Sequence, residues 1–386
     1  MRLQPGMCES TIGSIYALIQ EQAERADFSL SYLSGAFIDP EAWKQTARAK
    51  LLELLAYNPE PCPLDVEVVE RSDMGDHLRE KIYFRSGPTG KVPGYVLIPQ
   101  GVQFPAPGVI VLHCHGGMYR WGKEKVVDVG WAHRVLAEYR ASFYSGRCVA
   151  NELVRRGYVV IVIDAFYFGE RRLLLNSGRR ITKETEDDIL AQNDLSRKSE
   201  DVVAKTFLMA GITWPGVLVW DDIRTVDYLI SRPEVDASRL GCIGLSLGGW
   251  RSVYLAGLDP RIKCAVVVGW MSSLGKMLAN HAVKHTWMIF VPGQYKYLDL
   301  PDVASMLAPN PLLVIHAKGD ELFPYEGAEA AFQKLNEVYA RLGCEKNFHA
   351  SIYDGPHEFN AEMQEEAFAW LDSALKQGGV RYVTGE

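Results

Sequence analysis

The chain has 386 residues, 48% of them hydrophobic, with a formal net charge of -7. That is enough apolar material for one large core or two small ones, and it excludes a disordered or fibrous chain. The mild negative charge has no run of five like charges, so neither a nucleic-acid footprint nor a polybasic membrane anchor is visible, and a small-molecule partner is expected.

The elements follow in chain order. Ile12, Ile15, Ile19 and Ala23 recur at helical spacing and predict a helix lying on apolar neighbours. A second helix opens at Asp39-Pro40-Glu41, where a carboxylate can cap the first amides and proline suits the first helical position. Trp43, Ala47, Leu51 and Leu55 carry its buried face, and Asn58-Pro59 stops it. From Leu64 to Pro99 the pattern turns to period two, punctuated by Ser86-Gly87-Pro88-Thr89-Gly90, which predicts antiparallel strands. After Pro107, five short runs are apolar on both faces, at 108–114, 158–164, 239–245, 264–270 and 311–317, with helical segments between them. Such alternation predicts a mostly parallel, doubly wound α/β sheet whose ligands sit beyond the carboxyl ends of the strands. The expected organisation is an N-terminal helical extension, 1–63, packed on a catalytic domain, 64–378. Its two long connections, about 165–213 and 271–310, read as ordered insertions near the mouth of the site.

The chemistry concentrates at strand ends. Gly244-Leu245-Ser246-Leu247-Gly248 follows a buried strand and precedes a helix, the context of a nucleophile elbow in which small residues leave room for a strained serine. A serine needs a base and an orienting carboxylate, which this elbow places further along the chain in the order acid, then histidine. Asp320, just past the fifth run, is preferred over Glu321, Asp354 and the insertion residues Asp299 and Asp302, which read as solvated or helix-capping. His357, after Gly355-Pro356, is preferred over His77, His133, His281, His285 and His349, read as surface or satisfied core groups, and over His316, which sits in a strand. His113-Cys114-His115-Gly116-Gly117 suits an oxyanion site better than zinc. His113 and His115 share one face of a strand, Cys114 takes the other, and no second ligand cluster completes four. The amides of Gly117 and Leu247 are the expected oxyanion donors. Arg171, Trp270 and Met118 are candidate substrate contacts, with Arg171 alternatively tying the insertion to Asp164 or Glu170. No metal and no cofactor is expected.

The elbow, the HGG turn, Asp320 and His357, in this order, resemble the α/β-hydrolase superfamily. The finer likeness is to serine esterases grouped with dienelactone hydrolases and acetyl xylan esterases. It lies in the WKQTARAKLLELL stretch from Trp43, in DAFYFGER from Asp164 and in LAPNPLLVIH from Leu307. The resemblance covers about residues 40–375 and implies hydrolysis of a carboxylic ester through an acyl-enzyme, although dienelactone hydrolases proper carry cysteine where this chain has Ser246. A C–C bond hydrolase or peptidase using the same three residues, or a binding protein on the same scaffold, is the alternative. Seven scattered cysteines without a CxxC pair, and an N-terminus without a signal-like apolar run, lead us to expect a cytoplasmic protein in a reducing compartment, as a monomer or homo-oligomer.

Overall fold

Alternation within the buried runs decides the architecture. Along 109–112, Val109 and Val111 enter one apolar cluster while Ile110 and Leu112 enter another, as successive side chains of a strand must when both faces are covered. The computed structural model describes residues 10–87, 90–175 and 185–376; Cys8, the turn residues Pro88 and Thr89, residues 176–184 of the first insertion and the end of the catalytic domain at 377–378 lie outside them. Among the described residues, nine strands form one sheet: β1 (Glu67–Asp73), β2 (His77–Gly87), β3 (Gly90–Pro99), β4 (Ala106–Leu112), β5 (Val159–Ile163), β6 (Val235–Leu245), β7 (Ile262–Val268), β8 (Leu312–Ala317) and β9 (Phe348–Tyr353). Their order is β1-β2-β3-β5-β4-β6-β7-β8-β9. β1, β2 and β3 pair antiparallel, β3 joins β5 antiparallel, and every pair from β5 to β9 is parallel.

Helices cover both faces. The described helices are α1 (Tyr16–Glu24), α2 (Pro40–Leu55), α3 (Arg134–Tyr144), α4 (Val149–Arg155), α5 (Glu186–Met209), α6 (Trp214–Ile230), α7 (Leu247–Leu258), α8 (Leu274–Met277), α9 (Leu300–Ser305), α10 (Tyr325–Arg341) and α11 (Ala361–Leu375). The larger core gathers α2, α6, α7 and α10 under one face, and α3, α4 and α11 close the other.

α2 forms as its sequence dictates. Asp39 accepts from the amides of Glu41 and Ala42, Pro40 opens the helix, and Trp43, Ala47, Leu51 and Leu55 are buried, each of the larger three contributing about 1.5–3 kcal/mol. The N-terminal stripe behaves differently. Ile12 precedes the helix and is 43% exposed, Ile15 is 61% exposed, and α1 buries no residue, so the expected apolar seat is absent among the described residues. Of the stripe, Ile19 and Ala23 are half-buried, beside Leu278 and Tyr295. Periodicity marked a helix there, but a stripe this short draws burial only from what lies opposite it.

The first insertion supplies α5, a 24-residue helix whose N-terminus is closed by a capping box between Thr185 and Asp188. The second is a chain of short turns, with α8 and α9 at its ends. Among the described residues no single helix is long and apolar enough to cross a membrane, and their six cysteines are all free thiols.

Candidate active site

β6 ends at Leu245 and α7 begins at Leu247, leaving Ser246 alone on the corner between them with φ +59° and ψ -119°. A serine in that region stores about 1–3 kcal/mol of strain, which the surroundings must hold. They do so with the Ser246 amide bonded to the Val268 carbonyl at 2.8 Å and the Ser246 carbonyl accepting from Trp250 at 2.9 Å. The flanking glycines supply clearance: a β-carbon on Gly248 would lie 1.9 Å from the Leu112 carbonyl oxygen, and one on Gly244 would lie 2.4 Å from the Gly248 backbone.

Asp320 lies in the turn after β8. One carboxylate oxygen accepts the Leu322 amide at 2.9 Å, and the other meets His357 Nδ1 at 2.6 Å. His357, between β9 and α11, rests on Gly269, where a β-carbon would come within 2.9 Å of the imidazole. The residue before Gly269 is Val268, whose carbonyl holds Ser246. His357 Nε2 is buried and has no hydrogen-bond partner among the described residues. Ser246 and His357 thus line one open cleft of about 420 Å³, and Asp320 grips the far nitrogen of the imidazole. The competing acids lie elsewhere. Asp299 caps α9 and forms a capping box with Asp302, both buried rather than solvated. Glu321 is exposed, and Asp354 is almost fully exposed beside Lys318.

The HCHGG segment follows β4 as a loop. His113 is fully buried, donating from Nδ1 to the Cys114 carbonyl (3.0 Å) and accepting the Ala165 amide on Nε2 (3.1 Å); burial holds its pKa well below the usual histidine value. His115 instead reaches the cleft. Its Nε2 lies 2.9 Å from Glu200 Oε1, and its Nδ1 accepts the Gly117 amide at 3.0 Å. This differs from the expectation for Gly117 as a free donor: its N–H is held by the His115 imidazole. The Leu247 amide, first in α7, has no intrahelical partner, as expected of a helix N-terminus.

α5 carries the residues that sequence reasoning missed. Glu200 reaches the cleft, and besides His115 it accepts the hydroxyls of Tyr119 and Thr286, each at 2.7 Å. Burial pushes this carboxyl up, but the hydrogen bond and charge of His115, with the two hydroxyls, outweigh burial and hold it below the usual carboxylate range. Arg197, one turn earlier, also lines the cleft. His285 is part of the wall, tilted against Phe323 at 5.0 Å and edge-on to Trp270 at 5.6 Å, with burial pushing its pKa down to about 4. The signal was present in α5: Asn193, Ser196, Glu200 and Ala204 recur at helical spacing as a polar and small stripe, and all four are buried.

Of the candidate substrate contacts, Trp270 lines the cleft. Arg171 does not: its guanidinium is buried against Asp221 at 2.6 Å and the Asp164 carbonyl at 3.3 Å, so its charge is spent on tying the insertion to α6. Met118 is also off the cleft. Half-buried, it packs against the core, and its sulfur accepts from Asn193 at 3.0 Å.

A mostly parallel sheet with a strained serine on the turn from β6 into α7, and a histidine–carboxylate pair delivered by the loops after β8 and β9, defines the α/β-hydrolase fold. The chain belongs to the Abhydrolase family, whose model matches residues 6–337. It is 26% identical over 329 residues to YtaP of Bacillus subtilis, described as a hydrolase, spanning 85% of this chain and 98% of YtaP. Among solved structures it is similar to a Bacteroides fragilis protein described as an acetyl xylan esterase (TM-score 0.67, 18% identity, 92% of this chain and 84% of that one). It is also similar to a glucuronoyl esterase from Solibacter usitatus (TM-score 0.62, 16% identity, 90% and 96%).

Proposed function

We propose that the protein is a serine hydrolase that cleaves a carboxylic ester of an acylated carbohydrate through an acyl-enzyme. The observation that carries this reading is the bond from His357 Nδ1 to Asp320 at 2.6 Å, with His357 Nε2 left unpartnered in the cleft that Ser246 lines. Asp320 holds the tautomer in which Nδ1 carries the proton, so Nε2 is the basic nitrogen. Ser246 Oγ attacks the acyl carbon as Nε2 takes its proton. The imidazolium returns that proton to the departing alkoxide, and water repeats the sequence on the acyl-enzyme. The Leu247 amide, at the positive end of α7, receives the negative oxygen.

The carbohydrate ester is favoured by the lining and by the fold neighbours. His115, Glu200, Arg197 and Thr286 offer polar contacts beside the indole of Trp270, a combination suited to a sugar's hydroxyls and apolar ring face. The neighbours described as acetyl xylan and glucuronoyl esterases support the broader class of carbohydrate esters.

The test is turnover of p-nitrophenyl acetate, acetylated xylo-oligosaccharides and a glucuronate methyl ester, together with labelling by a fluorophosphonate. Ser246→Ala is expected to fold, to lose labelling and to lose turnover. Turnover that survives in Ser246→Ala sinks the proposal. Labelling of the wild type at Ser246 without cleavage of any ester would move the reading to an amide or C–C bond.

A further inference from the structure

Two lysines two residues apart lie buried beneath the HGG loop, and only one has the partners that a buried ammonium requires. Lys123 has carboxylates of Asp164, Glu170 and Glu124 at 2.7–2.8 Å. Lys125 has none within ion-pair distance among the described residues. Its ammonium donates to the carbonyls of Cys114 at 2.8 Å and His115 at 2.9 Å, and otherwise meets the ring faces of Phe168 at 4.5 Å and Tyr139 at 5.6 Å. A buried charge without a counter-charge is costly, and an apolar side chain of similar length would fill the space without that cost. The two carbonyls are therefore the feature to explain.

A trans peptide points its N–H opposite to its C=O. The His115 carbonyl is turned inward to Lys125 and also accepts the Met118 amide at 3.2 Å, so the N–H of Gly116 is turned outward, on the side of the cleft that Gly116 lines. That N–H has no hydrogen-bond partner among the described residues, whereas the next one, of Gly117, is held by His115 Nδ1. Gly116 itself is fixed from behind: its φ is +53°, and a β-carbon there would lie 2.1 Å from the Tyr139 hydroxyl.

We propose that Lys125 is a positioning residue of the oxyanion site: by gripping the Cys114 and His115 carbonyls it fixes the His115–Gly116 peptide so that the Gly116 N–H, together with that of Leu247, receives the negative oxygen. The ammonium also polarises that peptide, which strengthens its N–H as a donor. This inference rests on the serine-hydrolase reading. Burial pushes Lys125 down to about 8. The groups facing it are Cys114 in the loop, Asp164 after β5 and Glu124 beside it, which favour its charge, and Arg251 from α7, which opposes it, with the His113 imidazole and the Tyr139 ring also close. The grip should therefore weaken as pH rises past about 8.

The experiment measures kcat and KM for p-nitrophenyl acetate from pH 6 to 9.5, corrected for uncatalysed hydrolysis, in the wild type and in Lys125→Met, with fluorophosphonate inactivation rates alongside. Lys125→Met is expected to lower kcat by about 10- to 100-fold, a loss comparable to or smaller than that of an oxyanion donor, with KM changed less than about threefold and inactivation slowed in proportion. The wild type should lose activity several-fold on an alkaline limb near pH 8, and the variant should lack that limb. Unchanged kcat in Lys125→Met, or a wild-type profile flat from pH 7 to 9.5, overturns the inference, and the wild-type profile decides the matter if the variant does not fold. A wild type that neither cleaves esters nor labels overturns the serine-hydrolase reading itself. An active wild type matched by Lys125→Met overturns only the role of Lys125.

Discussion

Two histidine–carboxylate pairs serve the same cleft, and they are wired in opposite senses. In His357–Asp320 the carboxylate takes Nδ1 and leaves Nε2 without a partner. In His115–Glu200 the carboxylate takes Nε2, and Nδ1 is occupied by the Gly117 amide. An imidazole with one nitrogen anchored and the other free can move a proton; one with both nitrogens engaged can only hold its neighbours in place. The carboxylates differ to match. Asp320 bonds its own loop and one histidine, whereas Glu200 ties together the HGG loop through His115, the segment after it through Tyr119 and the second insertion through Thr286. On the proposed serine-hydrolase reading, the same residue types form a base in one place and a brace in the other.

The largest expected effect tests that contrast directly. Asp320→Asn should lower kcat by about 10⁴-fold with the fold retained, because an amide no longer enforces the tautomer that leaves Nε2 basic. Glu200→Gln should cost no more than about tenfold, since its carbonyl oxygen still accepts from His115 Nε2 and only the charge-assisted part of the bond is lost. Steady-state ester hydrolysis of the two variants side by side decides it, and equal losses would abolish the distinction between base and brace. Next in size is the coupling within the brace. His115→Ala and Glu200→Ala should each destabilise the protein by about 1–3 kcal/mol, because each strands a buried polar group of the other. Their double mutant should fall short of additivity by about 1 kcal/mol in urea unfolding. Strict additivity would mean that the 2.9 Å contact contributes nothing.

The His357–Asp320 pair was legible in the sequence and the His115–Glu200 pair was not, for a physical reason. Strands buried on both faces leave continuous apolar runs, so β4 to β8 stood out, and the elbow glycines between β6 and α7 mark where backbones nearly touch. Once Ser246 is placed, chain order points to Asp320 and His357 with few competitors. Glu200 has no such marker. It lies in a polar helix inside a long insertion, where an acidic residue ordinarily faces water, and only the spacing of Asn193, Ser196, Glu200 and Ala204 hints at an inward face. Gly117 shows the same limit at finer scale. The HGG turn places amides near the cleft, but which one is free depends on a ring nitrogen that chain order does not locate. Arg171 reads in the sequence both as a substrate contact and as a tie for the insertion, and its bonds to the Asp164 carbonyl and Asp221 bear out the tie; Ile15, expected to be buried, is 61% exposed.

The smallest effect concerns how the brace responds to acid. The hydrogen bonds to Glu200 hold its carboxyl below the usual range despite burial, so the unfolded chain binds a proton there more readily than the folded one. Its contribution to stability is therefore full above the ordinary glutamate pKa, about 4.3, and fades as pH falls through the lower value in the folded protein. Glu200→Gln carries no charge to lose. In urea unfolding at pH 7, 5 and 3.5, the wild type should lead this variant at the first two values, and the gap should narrow at the third. Other carboxylates titrate over the same span, but they are common to both proteins and cancel in the difference. A gap unchanged at pH 3.5 would show that the brace depends on the shape of residue 200 and not on its charge, and the two pairs would then differ in wiring alone.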